Sequence, residues 1–181
     1  MDRPVGDFRD VDAIPPIQDN MRIRTLGRLA IGFEQRRLTD DEVDQAYPKD
    51  VQTALGIESR RGRNDGGWSV HVFDSETMTE YLRFDGFVER PHYHYLWPAG
   101  GQYINQYDPV ASGPFLDWTI GCLTERLPAM LAVTDGQALA DAIRPEELAA
   151  FDIAEFRRWA TTLTEAAIAQ IELAAASSGA R

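Results

Sequence analysis

The sequence predicts an α+β fold from two patterns that divide the chain. The middle of the chain holds runs of β-branched and aromatic residues separated by short turn-like segments, which is typical of antiparallel strands. After Pro109, apolar residues recur at intervals of three and four, which indicates helices. We therefore expect an antiparallel meander of four to five strands, with helices, mainly C-terminal, covering one face. The central strands are expected at Trp68–Asp74, Thr77–Val88, Pro91–Trp97 and Gln102–Asp108.

Residues 1–20 contain several aspartates and prolines and little apolar periodicity, so we expect an extended N-terminal arm there. From Met21 to Arg36, apolar side chains alternate with arginines, which predicts a half-buried strand, the fifth of the sheet. The chain has 181 residues, an ordinary size for one domain. We accordingly expect a single α+β domain over residues 21–181.

Helix signals follow in order along the chain. Thr39 and Glu42 have the spacing of a capping box, so a short helix is expected after Thr39. Leu116 to Leu131 form one apolar helical face, which Pro128 interrupts. The longest helix is expected from Ile153 to about Ala176, and its wide apolar stripe indicates that it contacts more than one surface.

Charge and cysteine content exclude several classes of protein. Acidic side chains outnumber basic ones by 29 to 18, and the formal net charge is −11. Nucleic acid and anionic membranes bind basic surfaces, so neither is expected as a partner. Lys49 is the only lysine, and its neighbours match no lysine-dependent catalytic motif. Cys122 is the only cysteine, which excludes an intrachain disulfide; with no apolar signal segment near the N-terminus, a cytoplasmic location is expected.

All three histidines fall in the predicted meander, at His71, His92 and His94. Residues two apart on a strand point to the same face, so His92 and His94 project together. Two imidazoles on one strand are a common beginning of a metal site. A two-residue turn at Ser75–Glu76 would set His71 opposite Glu80 and on the same face.

The loop before His92 decides which carboxylate the paired histidines meet, because a shift of one residue reverses the face. With a three-residue loop, Glu89–Pro91, His94 lies opposite Gly86, and both histidines share the face of His71 and Glu80. These four side chains, His71, His92, His94 and Glu80, then form a nitrogen and oxygen ligand set. Such a set suits one divalent transition metal: Fe(II), Mn(II), Ni(II) or Zn(II).

A two-residue loop, Glu89–Arg90, instead sets His94 opposite Asp85 on the other face. We favour this register because it collects the apolar side chains on one surface. Asp85 and His94 would form an acid–base pair in which the carboxylate orients the imidazole. Arg83 lies beside them and could clamp a carboxylate, and Tyr93 offers a hydroxyl, so the candidate catalytic residues are His94, Asp85, Tyr93 and Arg83.

The same histidines are also compatible with a purely structural role in an aromatic sheet. Our leading hypothesis is a small protein with a ligand or metal pocket on this sheet, which would be an enzyme acting on a small organic molecule. The alternative is a non-catalytic accessory or regulatory subunit that associates through its C-terminal helices. Self-association of those helices would most simply give a homodimer.

Overall fold

The computed structural model describes residues 7–55 and 64–178, which contain one antiparallel sheet of seven strands. The strands are β1 (Asp7–Arg9), β2 (Met21–Leu26), β3 (Leu29–Thr39), β4 (Asn64–Asp74), β5 (Glu80–Phe87), β6 (His92–Leu96) and β7 (Gln102–Gln106). Their order across the sheet is β1-β7-β6-β5-β4-β3-β2, so β2 to β7 form a meander and β1 is added at the far edge. The α+β class and the antiparallel meander are confirmed, but the predicted number of strands was too small.

The N-terminal part of the chain supplies the additional strands. Residues 21–36, predicted as one strand, fold as the hairpin of β2 and β3. The reversal lies at Gly27, whose φ of +60° is the left-handed conformation that glycine adopts without steric cost. Residues 7–9 of the predicted arm pair with residues 102–104 as strand β1. Residues 1–6 of that arm lie outside the described part of the chain.

Helices dominate the C-terminal part of the described chain. They are α1 (Asp40–Ala46), α2 (Lys49–Leu55), α3 (Pro109–Ser112), α4 (Phe115–Gly121), α5 (Leu127–Leu131), α6 (Gln137–Ala142), α7 (Pro145–Ala149) and α8 (Ile153–Ser178). The capping box of Thr39 and Glu42 begins α1, as predicted. A π-helical turn, Cys122–Arg126, joins α4 to α5, and Pro128 lies in the first turn of α5, where no N–H is needed. None of the helices in residues 7–55 and 64–178 is both long enough and apolar enough to span a membrane.

One face of the sheet forms the apolar core. Because side chains alternate along a strand, β4 and β5 direct a set of large apolar residues to the same side. These buried residues are Trp68, Val70, Val72, Leu82 and Phe84. Helices α4, α5 and α8 pack against this face. The ring of Phe156 on α8 contacts the rings of both Phe33 and Trp68, so it anchors the longest helix to the sheet.

The hairpin of β4 and β5 has a different register from the predicted one. His71 is paired with Arg83 instead of Glu80, because residues 75–79 form the connection between the strands. This odd shift brings Arg83 to the face of His71. Tyr81 is an extra residue in β5 and forms a β-bulge, beyond which Glu80 returns to the face of His71. The predicted pairing was therefore wrong, although His71 and Glu80 do meet.

The register of β5 and β6 also differs from both predicted alternatives. His94 is paired with Arg83, and His92 is paired with Asp85. The favoured alternative, with His94 opposite Asp85, is wrong by two residues, and an even shift keeps the same face. The alternative with His94 opposite Gly86 is wrong in its pairing with β5, although the histidines do lie on the face of His71 and Glu80 that it predicted. As a result, the carboxylates that the sequence assigned to opposite faces lie on one face.

A segment of the chain before β2 crosses the second, polar face of the sheet. We call residues 11–17 the N-terminal strap. At one end, the carbonyl of Val11 accepts a hydrogen bond from Nε2 of Gln102 on β7 at 3.2 Å. At the other end, the N–H of Ile17 donates to Oε1 of Glu34 on β3 at 2.8 Å. The strap therefore spans the polar face from β7 to β3.

Replacing Phe156 with alanine is expected to destabilise the protein by about 3–5 kcal/mol, because a large core ring is lost and a cavity remains. Phe156 is 2% exposed, whereas Leu173 on the same helix is 69% exposed. The matched control, Leu173→Ala, should change the free energy of unfolding by less than about 0.5 kcal/mol. Denaturant titration measures both values; equal effects would mean that α8 is not anchored at Phe156.

Candidate metal centre

The polar face under the N-terminal strap is built from alternate residues of strands β3 to β7. Its buried polar side chains are Glu34, Arg36, Ser69, His71, Arg83, Asp85, His94 and Gln102. Burying so many charged groups is costly unless each has a partner, so the hydrogen bonds of this face define its chemistry. The bonds divide the residues into two groups, one around Asp85 and one around His71.

Asp85, His92 and His94 bring three ligand atoms together. Oδ2 of Asp85 lies 2.9 Å from Nε2 of His94 and 3.4 Å from Nε2 of His92. The three ligand atoms all lie within 4.8 Å of one another. Atoms that each lie about 2.0–2.2 Å from one metal ion are roughly 3–4 Å apart, so the two distances to Oδ2 are compatible with a single divalent ion.

Hydrogen bonds on the far side of each ring place the protons of both imidazoles on Nδ1. Nδ1 of His92 lies 2.8 Å from the carbonyl oxygen of Arg90, which can only accept. Nδ1 of His94 lies 2.7 Å from Oε1 of Gln102. The orientation of the Gln102 amide follows from its other bond, because Nε2 donates to the carbonyl of Val11. Both Nδ1 atoms are therefore donors.

With Nδ1 of each ring bound to a carbonyl oxygen, Nε2 is the ring nitrogen that faces Asp85. Both Nε2 atoms point toward Oδ2 of Asp85, at 3.4 Å from His92 and 2.9 Å from His94. Either a proton on Nε2 of His94, as on His71, or a metal ion in place of that proton satisfies this contact, because metal binding to histidine releases the proton. Carbonyl acceptors behind Nδ1 are also the usual partners of metal-binding histidines, which they orient. The arrangement therefore fits a candidate metal ligand set.

At Asp85 and His92, electrostatics favour the protonation states that a metal requires. Burial would raise the pKa of Asp85, but the hydrogen bond with His94 and the charges of nearby cations hold this pKa well below its usual value. Ser69 donates from Oγ to Oδ1 of Asp85 and leaves Oδ2 directed at the histidines. Burial lowers the pKa of His92 below its usual value, which favours the neutral ring.

Asp65 fixes the backbone that orients His92. Its carboxylate accepts hydrogen bonds from the backbone N–H groups of Gly66, Glu89 and Arg90, at 2.8, 3.1 and 3.1 Å. Two of these bonds hold the connection between β5 and β6. They position the Arg90 carbonyl, which in turn accepts from Nδ1 of His92. Asp65 thus supports the centre without contacting its ligand atoms.

His71 belongs to the second group, which we call the ion-pair row: Arg36, Glu34, His71, Glu80 and Arg83. Nε2 of His71 lies 2.9 Å from Oε2 of Glu34, and Nδ1 lies 2.7 Å from Oε1 of Glu80. Carboxylate oxygens only accept, so both ring nitrogens carry protons and His71 is an imidazolium. Arg36 binds Glu34 at 3.0 Å, and Arg83 binds Glu80 through Nε and Nη2 at 2.9 and 2.7 Å.

The predicted metal ligands are divided between these two groups. His92 and His94 converge with Asp85, which the sequence analysis assigned to acid–base chemistry. His71 and Glu80 bind each other in the ion-pair row, and neither ring nitrogen of His71 retains a free lone pair. The candidate ligand set in the structure is therefore Asp85, His92 and His94.

The predicted catalytic residues are also separated. His94 and Asp85 are in contact. Arg83 lies on the same face, but its guanidinium binds Glu80 and the carbonyl of Ile14. Tyr93 points to the apolar face, where its ring centre lies 4.8 Å from that of Trp118. Tyr93 therefore does not line the centre.

Five contributing residues were missed in the sequence: Glu34, Arg36, Asp65, Ser69 and Gln102. Glu34 carried a usable signal, because Glu34 and Arg36 are charged residues two apart in a strand of otherwise apolar character. Gln102 and Asp65 carried none, because their partners are fixed only by the strand register and by the loop before His92.

Residues 25–158 match the family described as a domain of unknown function, DUF7700, and the match covers more than half of the chain. The chain belongs to this family. No curated protein and no solved structure matches it. Asp85, His92, His94 and Gln102 all lie inside the DUF7700 region, whereas the N-terminal strap lies before it.

The ion-pair row predicts that the stability of this DUF7700 protein decreases as pH rises above neutrality. Burial would lower the pKa of His71, but the charge of Glu80 and hydrogen bonds with Glu34 and Glu80 raise it above its usual value. The stabilisation is complete below the unfolded-state pKa near 6.5 and is lost as pH rises through the folded-state pKa. The slope is at most about 1.4 kcal/mol per pH unit for one proton.

Denaturant titration between about pH 6.5 and 8, with a chelator present, measures this slope below the range in which thiols and phenols titrate. Glu34 and Asp85 have released their protons in both states within this interval, so their lowered pKa values act below it. The lowered pKa of His92 opposes the slope near pH 6.5, where the unfolded ring is still partly protonated, and this opposing effect fades as pH rises further. The variant His71→Gln should be less stable than wild type and should lose the slope. A variant that retains the slope would show that His71 does not titrate as described.

Proposed function

We propose that this protein binds one divalent transition metal ion through Asp85, His92 and His94 and acts on a small organic molecule at that ion. The observation that carries the proposal is the convergence of two Nε2 atoms and one carboxylate oxygen within 4.8 Å. Hydrogen bonds from Nδ1 of both rings to oxygen atoms of the protein direct the two Nε2 atoms toward Asp85. A mixed set of nitrogen and oxygen ligands suits Fe(II), Mn(II), Ni(II) or Zn(II).

Three protein ligands leave coordination positions open. Structural zinc sites are usually closed by four protein ligands, whereas catalytic sites retain a position for water or substrate. A bound ion would act there as a Lewis acid or activate a water molecule. The ligand side chains are largely buried, and His92 is the most exposed of the three at 14%, so a small molecule would approach from its side.

The acid–base pair of Asp85 and His94 receives less support from the geometry. A general base needs a ring nitrogen that can reach the substrate. Nδ1 of His94 is bound to Gln102, and Nε2 faces Asp85, so neither nitrogen is free for a substrate proton. The metal centre uses the same contacts without this conflict. A cytoplasmic location remains an expectation from the sequence.

Loading with Co²⁺ tests the proposal, because imidazole and carboxylate ligands give this ion a visible absorption spectrum. Untagged protein is expected to bind one Co²⁺ per chain. Loss of a residue that only supports a metal ligand weakens binding by roughly tenfold to a hundredfold. Asp85 is itself a proposed ligand, so Asp85→Asn should weaken Co²⁺ binding by at least that factor. The matched control is Asp74→Asn: Asp74 is another buried carboxylate of the sheet, and it pairs with Arg28.

Substoichiometric binding by wild-type protein would refute the metal centre. Equal affinity of the Asp85→Asn and Asp74→Asn variants would also refute it, because Co²⁺ would then be bound elsewhere. Thermal unfolding of each metal-free variant establishes that the comparison is made between folded proteins.

The accessory-subunit alternative rests on exposed apolar side chains of α8. Ile168 is 40% exposed and Leu173 is 69% exposed. If these residues form a subunit interface, sedimentation velocity at micromolar concentration will show a dimer, and Leu173→Glu will dissociate it. A monomeric wild-type protein would remove the homodimer from this alternative.

A further inference from the structure

We propose that Gln102 is a positioning residue through which the N-terminal strap strengthens metal binding at the centre. The inference rests on the proposed function, because it concerns the same ligand, His94. It goes further by assigning control of metal affinity to residues 11–17, which lie outside the matched family region.

Gln102 links the strap to the metal ligand through the two ends of one amide. It is 1% exposed. Its Oε1 accepts from Nδ1 of His94 at 2.7 Å, and its Nε2 donates to the carbonyl of Val11 at 3.2 Å. If the amide turned by 180°, its NH₂ group would face the Nδ1–H of His94 and its oxygen would face the carbonyl oxygen of Val11. Neither hydrogen bond could then form. The strap therefore selects the amide orientation that keeps Nδ1 of His94 protonated and leaves Nε2 as the nitrogen that faces Asp85.

The strap is held in place by contacts other than the one with Gln102. Tyr47 donates from its hydroxyl to the carbonyl of Asp12 at 2.8 Å. Arg83 and Arg36 both donate to the carbonyl of Ile14, at 2.7 and 2.8 Å. Bonds to charged donors are the stronger kind, so the two arginines fix the middle of the strap over the polar face.

Because binding free energies are reciprocal, a strap that strengthens metal binding must itself be held more firmly when metal is bound. The affinity for metal and the fraction of protein in which the strap lies on the sheet then report the same coupling free energy. Trypsin cleavage after Arg9 reports seating, because the protease can reach this bond only when β1 and the strap leave the sheet. If Gln102 only stabilised the fold, metal binding would not change the rate of cleavage after Arg9.

Two variants of Gln102 distinguish its hydrogen bond with His94 from its hydrogen bond with Val11. Gln102→Leu removes both bonds. Gln102→Glu retains an oxygen that accepts from Nδ1 of His94 but has no N–H for the carbonyl of Val11. The control is Gln35→Leu, which replaces an exposed glutamine that points away from the strap, because its neighbour Glu34 points toward it.

In wild-type protein and in Gln35→Leu, saturating Co²⁺ is expected to slow cleavage after Arg9 by about tenfold. Gln102→Leu should bind Co²⁺ about 10–100-fold more weakly, with an altered visible spectrum, and should lose the protection. Gln102→Glu should bind Co²⁺ within a few-fold of wild type, yet its cleavage should no longer respond to metal.

Two results would overturn the inference while leaving the metal centre intact. One is wild-type protein that binds Co²⁺ but is cleaved at the same rate with and without it. The other is a pair of Gln102 variants with the affinity and protection of Gln35→Leu. Wild-type protein that binds no Co²⁺ would overturn both the centre and the role of the strap. If Gln102→Leu does not fold, wild type and Gln102→Glu still decide the question.

Discussion

Three neighbouring strands of the sheet meet at one buried imidazolium, and the remainder of the polar face depends on that meeting. Glu34 on β3 and Glu80 on β5 flank His71 on β4, each within hydrogen-bonding distance. Buried ions contribute little net stability after desolvation, but an unpaired one is costly. A shift of either neighbouring strand would leave a carboxylate without its proton donor. The row therefore selects the registers of β3, β4 and β5 that place Asp85 on the polar face, and the pairing of β5 with β6 then brings the histidines to it.

The histidines of the two groups on the polar face have different hydrogen-bond partners. In the ion-pair row, carboxylates surround a ring that carries both protons, and the charges compensate one another. Around Asp85, carbonyl oxygens accept from Nδ1 of both rings, and the two Nε2 atoms face one carboxylate oxygen. Each carboxylate of the first group has cationic partners of its own. In the second group two imidazoles share one carboxylate oxygen, and the contact between His94 and Asp85 accommodates either a proton or, in the proposed function, a metal ion.

Much of the fold could be predicted because periodicity reports local geometry. The capping box at Thr39, the long C-terminal helix and the shared face of His92 and His94 all follow from spacing along one segment. Pairings between segments were harder, because a bulge or one extra loop residue changes them without leaving a pattern. The extra residue Tyr81 has this effect and reassigns the face of Arg83 relative to His71.

The candidate site was predicted in part for the same reason. His92, His94 and Asp85 were all identified, but the metal and acid–base hypotheses divided them, since the register was needed to bring them together. Asp65 and Gln102 act through backbone groups far along the chain, and nothing in their own neighbourhood indicates it. Residue type can suggest chemistry, whereas the supporting contacts of a site depend on tertiary structure.

The strap meets the sheet mainly through its main chain: the carbonyls of Val11, Asp12 and Ile14 accept from side chains of the folded domain. A main-chain carbonyl is present whatever side chain the residue carries. A substitution at these positions therefore leaves the acceptors in place as long as the path of the backbone is retained. Scanning it one substitution at a time would underestimate its importance, and a change in its length, which displaces every acceptor at once, would reveal it. In such a segment, evolution has to preserve the spacing of the backbone carbonyl groups.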